Sequence, residues 1–254
     1  MSDPILQPAP AAPAPGLSQW QRVAGIFSSP SKVFQDIAAG HRSWWLPFLL
    51  VVLVSYGFFA TITVKIGWDQ VAQNAIHFNP KAEARLADAP PAQRAASLKF
   101  TRWAMEGSFA ASPIFILAIG ALTALVLWGT INFGFGGKSN YGGIFAVWMY
   151  ASLPSLIKSL LGMIVIFAGM APESFNLKNF APTNIGAFLS PTDTNAALYS
   201  LATSMDFVTI WTLVLLGIGI AAVARVKRGS GYMAVFGWWA IIVLVSVGIA
   251  AVTG

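Results

Sequence analysis

The chain alternates between long, almost uncharged apolar runs and shorter segments rich in glycine, proline and charged residues. Five of the apolar runs approach the ~20 residues that a helix needs to cross ~30 Å of hydrocarbon, and they cover residues 44–66, 114–133, 144–168, 207–224 and 232–252. The pattern therefore predicts an all-α fold: a polytopic integral membrane bundle of five transmembrane helices.

The segments outside these runs carry weaker helical patterns. In residues 29–40, Pro30 suits a first helical position and Gly40 suits the residue after the helix end. Phe34 and Ile37 share one face of this helix, which either lies in the membrane interface or packs on the bundle. Prolines divide the two long loops, 68–110 and 170–206, into short stretches that we expect to form further amphipathic helices.

The composition of residues 1–19 predicts where the membrane domain begins. Residues 1–19 are rich in proline and alanine and have neither a basic start nor an apolar core, so we expect a disordered tail rather than a signal peptide. The remaining residues, 20–254, are expected to form a single five-span membrane domain.

The amino-acid composition limits the protein class and the kinds of functional site that the chain can form. Apolar residues make up 56% of the chain, charged residues 9%, and the mean hydropathy is +0.68, values typical of a membrane protein. The absence of cysteine excludes disulfides, thiolate metal sites and cysteine nucleophiles. The net charge of +6 comes from scattered Lys and Arg residues rather than a basic stripe, so we expect no nucleic-acid partner. We also expect no metal and no cofactor.

Basic residues predict the orientation. Lys and Arg divide equally between the two sides of the membrane, but "ARVKRGSG", near residue 227, is a short basic turn between two spans, whereas most opposing basic residues lie within long loops. By the positive-inside rule this places the N-terminus in the cytoplasm and the C-terminus outside.

The stretch "VWMYASLPSLIKSLLG" carries the candidate chemistry, because it contains a proline and a lysine within the third apolar run. On a helical wheel, Ser155 and Lys158 share a stripe of small residues that we expect to face the bundle. Met149, Leu153 and Leu160 belong to the opposite stripe, which we expect to face lipid. Pro154 is expected to kink the span.

Lys158 has two possible roles. Its depth, about 21 Å from the start of the run, allows an ion pair with Asp206 or Glu173, which would make it structural. Alternatively, Lys158 and Ser155, with Tyr150 and Pro154, line a cavity of a transporter or channel subunit. An enzyme is not expected, since no run contains a complete acid–base or metal-binding set.

The order of several motifs resembles a known family. "GIFSSPSKVFQDIAAG" precedes a tryptophan-rich start of the first run; "YASLP" lies in the third, and "GYMAVFGWW" opens the fifth. This arrangement resembles a bacterial member of the Yip family, five-span membrane proteins named for interaction with Ypt/Rab GTPases.

The resemblance implies a five-helix bundle in the bacterial cytoplasmic membrane, with no established catalytic residues. Eukaryotic relatives act in vesicle trafficking, membrane shaping and recruitment of small GTPases. We therefore expect a non-enzymatic protein that organises the lipid bilayer or binds membrane or cytoplasmic protein partners, with a homo-oligomer also possible. The candidate interfacial or partner contacts are Phe34, Ile37, Trp44 and Lys138.

Overall fold

The computed structural model describes residues 16–253, which fold into α-helices joined by turns and loops. The helices are α1 Gln19–Ser28, α2 Pro30–Ala38, α3 Trp45–Lys65, α4 Trp68–His77, α5 Pro80–Ala87, α6 Pro91–Ala110, α7 Ser112–Gly129, α8 Tyr141–Ala151, α9 Ser155–Phe167, α10 Ala196–Ser204, α11 Phe207–Ala224 and α12 Arg228–Thr253. A π-helical turn, Thr130–Gly134, extends α7. No strand occurs within the described range.

Five helical units are long and apolar enough to cross a membrane: α3, α7 with its π-helical turn, α8 continued by α9, α11, and α12. The predicted all-α, five-span bundle is therefore confirmed. The largest difference from the predicted bounds lies in the last span, which begins at Arg228 rather than near Tyr232. Three residues suffice to turn the chain between α11 and α12, so the basic sequence there continues directly into the helix.

Residues 1–15 of the predicted tail lie outside the described residues. The adjoining chain is fixed at Ser18, whose hydroxyl accepts a hydrogen bond from the Gln21 backbone N–H while the Gln21 side chain accepts one from the Ser18 N–H. This reciprocal capping box satisfies two backbone donors at the start of a helix. It places the beginning of α1 at Gln19, inside the range predicted as tail.

The third span is interrupted at the position where the sequence predicts a kink. Residues 152–154 form a turn between α8 and α9, because Pro154 has no N–H for a helical hydrogen bond. The carbonyl oxygen of Tyr150 accepts instead from the Leu153 N–H at 3.2 Å. The break changes the faces that the two halves present: Met149 and Leu153 are buried, so the prediction that they face lipid is wrong. Leu160, beyond the break, is exposed.

The two N-terminal helices pack onto the bundle. Phe34 and Ile37 of α2 are both 0% exposed, and α2 lies against α11 and α8. Gly219 of α11 allows this approach, because a Cβ atom there would collide with the side chains of Phe34 and Val147. The amphipathic face of α2 therefore contacts the protein itself rather than the membrane interface.

The spans differ in length at the end of the bundle opposite α1 and α2. At 1.5 Å per residue, the 18 residues of α11 reach about 27 Å and the 26 residues of α12 about 39 Å. Residues 170–206 occupy the resulting step, with α10 packed against α12. We call this end the C-terminal face, and we call the end formed by α1, α2, the α7–α8 loop and the α11–α12 turn the N-terminal face.

Candidate functional site

Lys158 lies on α9, just beyond the break in the third span, and reaches across to the start of α11. Its Nζ atom is 2.9 Å from Asp206 Oδ2, with side-chain exposures of 24% and 2% respectively. The ammonium also lies 5.6 Å from the centroid of the Phe180 ring, within the range of a cation–π contact. Glu173, the other predicted partner of Lys158, lies exposed in a 3₁₀ turn. It does not form an ion pair with Lys158, whose partner is Asp206.

Asp206 is held by more than its lysine partner. Its Oδ1 accepts from the Thr209 N–H at 2.8 Å, which caps α11, and its Oδ2 accepts from the Thr183 hydroxyl at 2.6 Å. Burial acts to raise the pKa of this carboxyl, but hydrogen bonds from Thr183, Lys158 and the Thr209 N–H outweigh it and hold the pKa below its ordinary value of 3.8. The carboxylate is therefore ionised at neutral pH and joins α9, α11 and the loop before α11.

The same loop is tied down by amide side chains. Asn184 donates to Asn179 Oδ1 at 2.7 Å and accepts from the Ala187 N–H at 3.0 Å. Asn179 and Asn176 both donate to the Tyr199 hydroxyl of α10. Together with the Lys158–Asp206 pair, these bonds fix residues 170–206 above the short span α11.

A second buried ion pair lies near the N-terminal face. Arg22 Nε is 2.8 Å from Asp36 Oδ2, with side-chain exposures of 6% and 10%. The Arg22 guanidinium also donates to the carbonyls of Leu17 and Ser43, at 2.8 and 3.2 Å, and to the Tyr150 hydroxyl at 3.4 Å. Tyr150 in turn donates to the Ser43 carbonyl at 2.9 Å. One arginine thus connects α1, α2, the chain before α3, and α8.

The structure divides the predicted intramembrane site into two. Tyr150 belongs to the cluster around Arg22, whereas Lys158 belongs to the cluster around Asp206. Pro154 lies in the turn between them, and the Ser155 hydroxyl donates to the Ser152 carbonyl at 2.6 Å. The prediction that these four residues line one cavity is therefore corrected, because the broken span separates them.

The four residues predicted to contact the membrane interface or a partner differ in how exposed they are. Phe34 and Ile37 are buried inside the bundle and are unavailable to a lipid or a partner, which corrects that prediction. Trp44 is half-buried, with its ring edge-on to Phe145 at 5.1 Å between centroids. Lys138 remains exposed in the α7–α8 loop, whose backbone is anchored by a 3.0 Å hydrogen bond from the Lys138 N–H to the Ala224 carbonyl.

The N-terminal face is uniformly basic. Its one acidic side chain among residues 16–253 is Asp36, which is buried against Arg22. The exposed basic side chains of this face, none of which makes an ion pair within the described residues 16–253, are Lys32, Arg42, Lys138, Arg225, Lys227 and Arg228. The C-terminal face mixes both signs, as where Arg102 contacts Asp69 and Glu106. An uncompensated positive surface favours contact with anionic groups.

Sequence reasoning missed the Arg22–Asp36 pair because its members lie on different helices. One signal was available: Asp36 is the only acidic residue between Asp3 and Asp69, and it directly precedes Ile37 on the buried face of α2. A lone carboxylate beside an apolar face has to find a cation when it is buried.

The family model described as the Yip1 domain matches residues 24–250, which include all five membrane-spanning units apart from the last turn of α12. No curated protein and no solved structure gives a match. Among residues 16–253, no group of three or more His, Cys, Asp or Glu side chains is arranged to hold a metal ion.

Proposed function

The chain belongs to the Yip family, and from this membership together with its charge distribution we propose that it is a non-enzymatic membrane protein that organises partner proteins at its N-terminal face. The observation that carries the proposal is the set of exposed basic side chains on that face that have no acidic partner in the part of the chain that the structure describes. Partners with acidic surfaces fit this pattern, because complementary charge guides association and excludes wrong partners.

The face is built on a fixed support. Arg22 and Asp36 lock α1 and α2 to α8, and the Lys138 backbone is bonded to the end of α11. A surface whose backbone is already ordered loses less conformational entropy when a partner binds. The rigid attachment therefore supports a docking role for the basic residues on these segments.

The orientation follows from the same residues. The α7–α8 loop and the α11–α12 turn are the short connections of the bundle, and both carry basic residues on the N-terminal face. The positive-inside rule is strongest for short loops. We therefore propose that the N-terminal face lies in the cytoplasm and the C-terminus outside, and the resemblance to bacterial members of the family supports a bacterial cytoplasmic membrane as the location.

Reversing charge on this face should remove the partners. The variant Lys32→Glu/Arg42→Glu/Lys138→Glu changes three exposed side chains on α2, the chain before α3, and the α7–α8 loop. We expect it to fold normally, because all three side chains are exposed and none makes an ion pair with another described residue. In cross-linking of native membranes with quantitative mass spectrometry, partner yields should fall at least about tenfold, as expected when several charge contacts become repulsive.

The matched control is Arg85→Glu/Lys99→Glu/Lys178→Glu, which makes the same change in net charge on the C-terminal face. Its partner yields should equal those of the wild-type protein. Equal loss in both triple variants would show a nonspecific effect of net charge, and unchanged yields in the N-terminal triple variant would remove the proposal.

No observation favours the transporter or channel alternative. The Lys158 ammonium is already engaged by Asp206 at 2.9 Å, and the side chains expected to line a cavity with it lie in two separate clusters. A substrate anion at this position would have to displace a buried carboxylate, and we therefore make no proposal of transport.

A further inference from the structure

A cavity of about 350 Å³ opens on the N-terminal face between α2 and the α11–α12 turn. Polar side chains form its rim: Ser31 and Gln35 from α2, and Arg225 and Arg228 from the turn. The Arg228 guanidinium donates to the Ser31 hydroxyl at 3.2 Å. Among residues 16–253, no carboxylate lines the cavity, so two guanidinium groups face it without a counter-ion from this part of the chain.

Such a rim suits a phosphate group. Arginine presents several N–H donors in a planar fork that matches phosphate oxygens, and hydroxyl and amide side chains can donate further hydrogen bonds. Two positive charges close together repel each other, so an anion between them lowers the electrostatic energy. The rim alone, however, does not separate a dissolved anion from a lipid headgroup.

The wall of the cavity makes that distinction. Ile218 and Ala222 of α11 line its inner part, and Ile218 lies six residues before Ala224 at the helix end, about 9 Å deeper at 1.5 Å per residue. The cavity therefore runs from a charged rim to an apolar wall on a membrane-spanning helix. A molecule that fills both parts has an anionic head and a hydrocarbon tail.

The backbone at Arg225 adds a second observation. Arg225 ends α11 in the left-handed conformation, with φ 55° and ψ 40°, and it is the one non-glycine residue with positive φ among residues 16–253. Glycine is the usual residue at this position after a helix, since it adopts the conformation without strain. An arginine here keeps its charge on the cavity rim against the local backbone preference.

We propose that this cavity binds the phosphate headgroup of an anionic phospholipid, with Arg225 and Arg228 as the main contacts. The site goes beyond the partner-binding role proposed above, because it needs no protein partner. It also uses other side chains: the triple charge-reversal variant changes none of the residues that line the cavity. A lipid bound here would join α2 to α11 and α12 at the membrane surface.

The test uses the full-length protein in detergent micelles, mixed with phosphatidylglycerol or with phosphatidylcholine, and native mass spectrometry to count bound lipids. Wild-type protein should retain one phosphatidylglycerol in preference to phosphatidylcholine. Arg225→Gly should weaken that binding about tenfold, as expected for loss of a charge-assisted hydrogen bond. Its thermal unfolding midpoint should equal or exceed that of the wild type, because glycine relieves the left-handed strain.

Two comparisons keep the outcomes distinct. Arg42→Gly removes an arginine from the same face outside the cavity and should leave the bound phosphatidylglycerol unchanged; an equal loss there would mean diffuse attraction and overturn the site. Arg228→Gln should weaken binding as Arg225→Gly does, and unchanged binding in both variants would also overturn the site.

Inorganic phosphate distinguishes a dissolved anion from a lipid. If phosphate raises the unfolding midpoint of the wild type but not of Arg225→Gly, while lipid binding shows no headgroup preference, the ligand is a dissolved phosphate and the lipid assignment is wrong. Failure here leaves the charge-reversal test of partner binding unaffected.

Discussion

Replacing Lys158 with methionine is expected to lower the free energy of unfolding by about 3 kcal/mol. The substitution keeps the length of the side chain but leaves the Asp206 carboxylate, 2% exposed, without its cation. Removing one member of a buried ion pair typically costs about 3–5 kcal/mol, and the partial exposure of Lys158 favours the lower end. Denaturant unfolding in detergent, followed by tryptophan fluorescence, measures the loss.

The double variant Lys158→Met/Asp206→Asn separates an unpaired charge from lost packing. Asparagine retains an oxygen at the Oδ1 position that accepts from the Thr209 N–H, and its NH2 group at the other position can donate to the Thr183 hydroxyl, so the helix cap survives while the charge is removed. We expect its stability to return to within about 1 kcal/mol of the wild type. The matched control Lys99→Met, on the exposed surface of α6, should change stability by less than about 0.5 kcal/mol. A Lys158→Met protein as stable as the Lys99→Met control would contradict a structural role for the pair.

Replacing Arg22 with methionine is expected to have a comparable effect at the other end of the bundle. The change leaves the buried Asp36 carboxylate with His41, which is charged only when protonated, as its one ion-pair partner among residues 16–253, and it removes the donors that reach Leu17, Ser43 and Tyr150. The expected loss is again about 3–5 kcal/mol, because several buried acceptors become unsatisfied together.

The loss of stability in Arg22→Met should also begin at a specific place, helix α1. Helix α1 touches the rest of the protein mainly through α2 and α8, so we expect it to detach before the bundle unfolds. Hydrogen exchange should accelerate in residues 17–28 while α11 remains protected. Arg42 is an exposed arginine on the same N-terminal face, so Arg42→Met is the matched control. This variant should leave the hydrogen exchange of α1 unchanged. Identical exchange in the two variants would show that Arg22 does not hold α1 in place.

Arg22→Lys tests whether geometry matters as well as charge. A lysine ammonium has donors at one point, whereas the guanidinium contacts acceptors on several sides. We expect the lysine variant to keep the ion pair with Asp36 but lose contacts to the carbonyls, giving exchange rates between those of the wild type and of Arg22→Met.

The five spans could be predicted from the sequence because each is an apolar run of sufficient length, and length is what a bilayer selects. The depth of Lys158 and the position of Asp206 at the start of the fourth run are also readable, and they point to the observed contact. The side of each span that faces lipid was harder to predict from the sequence. Pro154 breaks the third span, so one helical wheel cannot describe both halves, and α8 is enclosed by α1, α2, α7 and α11.

Contacts between distant segments lay beyond sequence reasoning. The periodicity of α2 shows that Phe34 and Ile37 share a face, but it cannot say whether lipid or Gly219 of α11 covers them. The Arg22–Asp36 pair depends on how α1 folds back over α2, which is a property of packing rather than of local pattern. The cavity at Arg225 likewise exists only because α2 and the α11–α12 turn lie side by side.

We propose that the basic N-terminal face binds partners, whereas the Lys158–Asp206 pair holds the bundle together. Quantitative cross-linking in native membranes tests this division of roles directly, by comparing Lys32→Glu/Arg42→Glu/Lys138→Glu with Lys158→Met/Asp206→Asn at matched expression. We expect the first variant to lose its partners and the second to keep the wild-type set. Loss of partners in the second variant with full retention in the first would contradict the proposal.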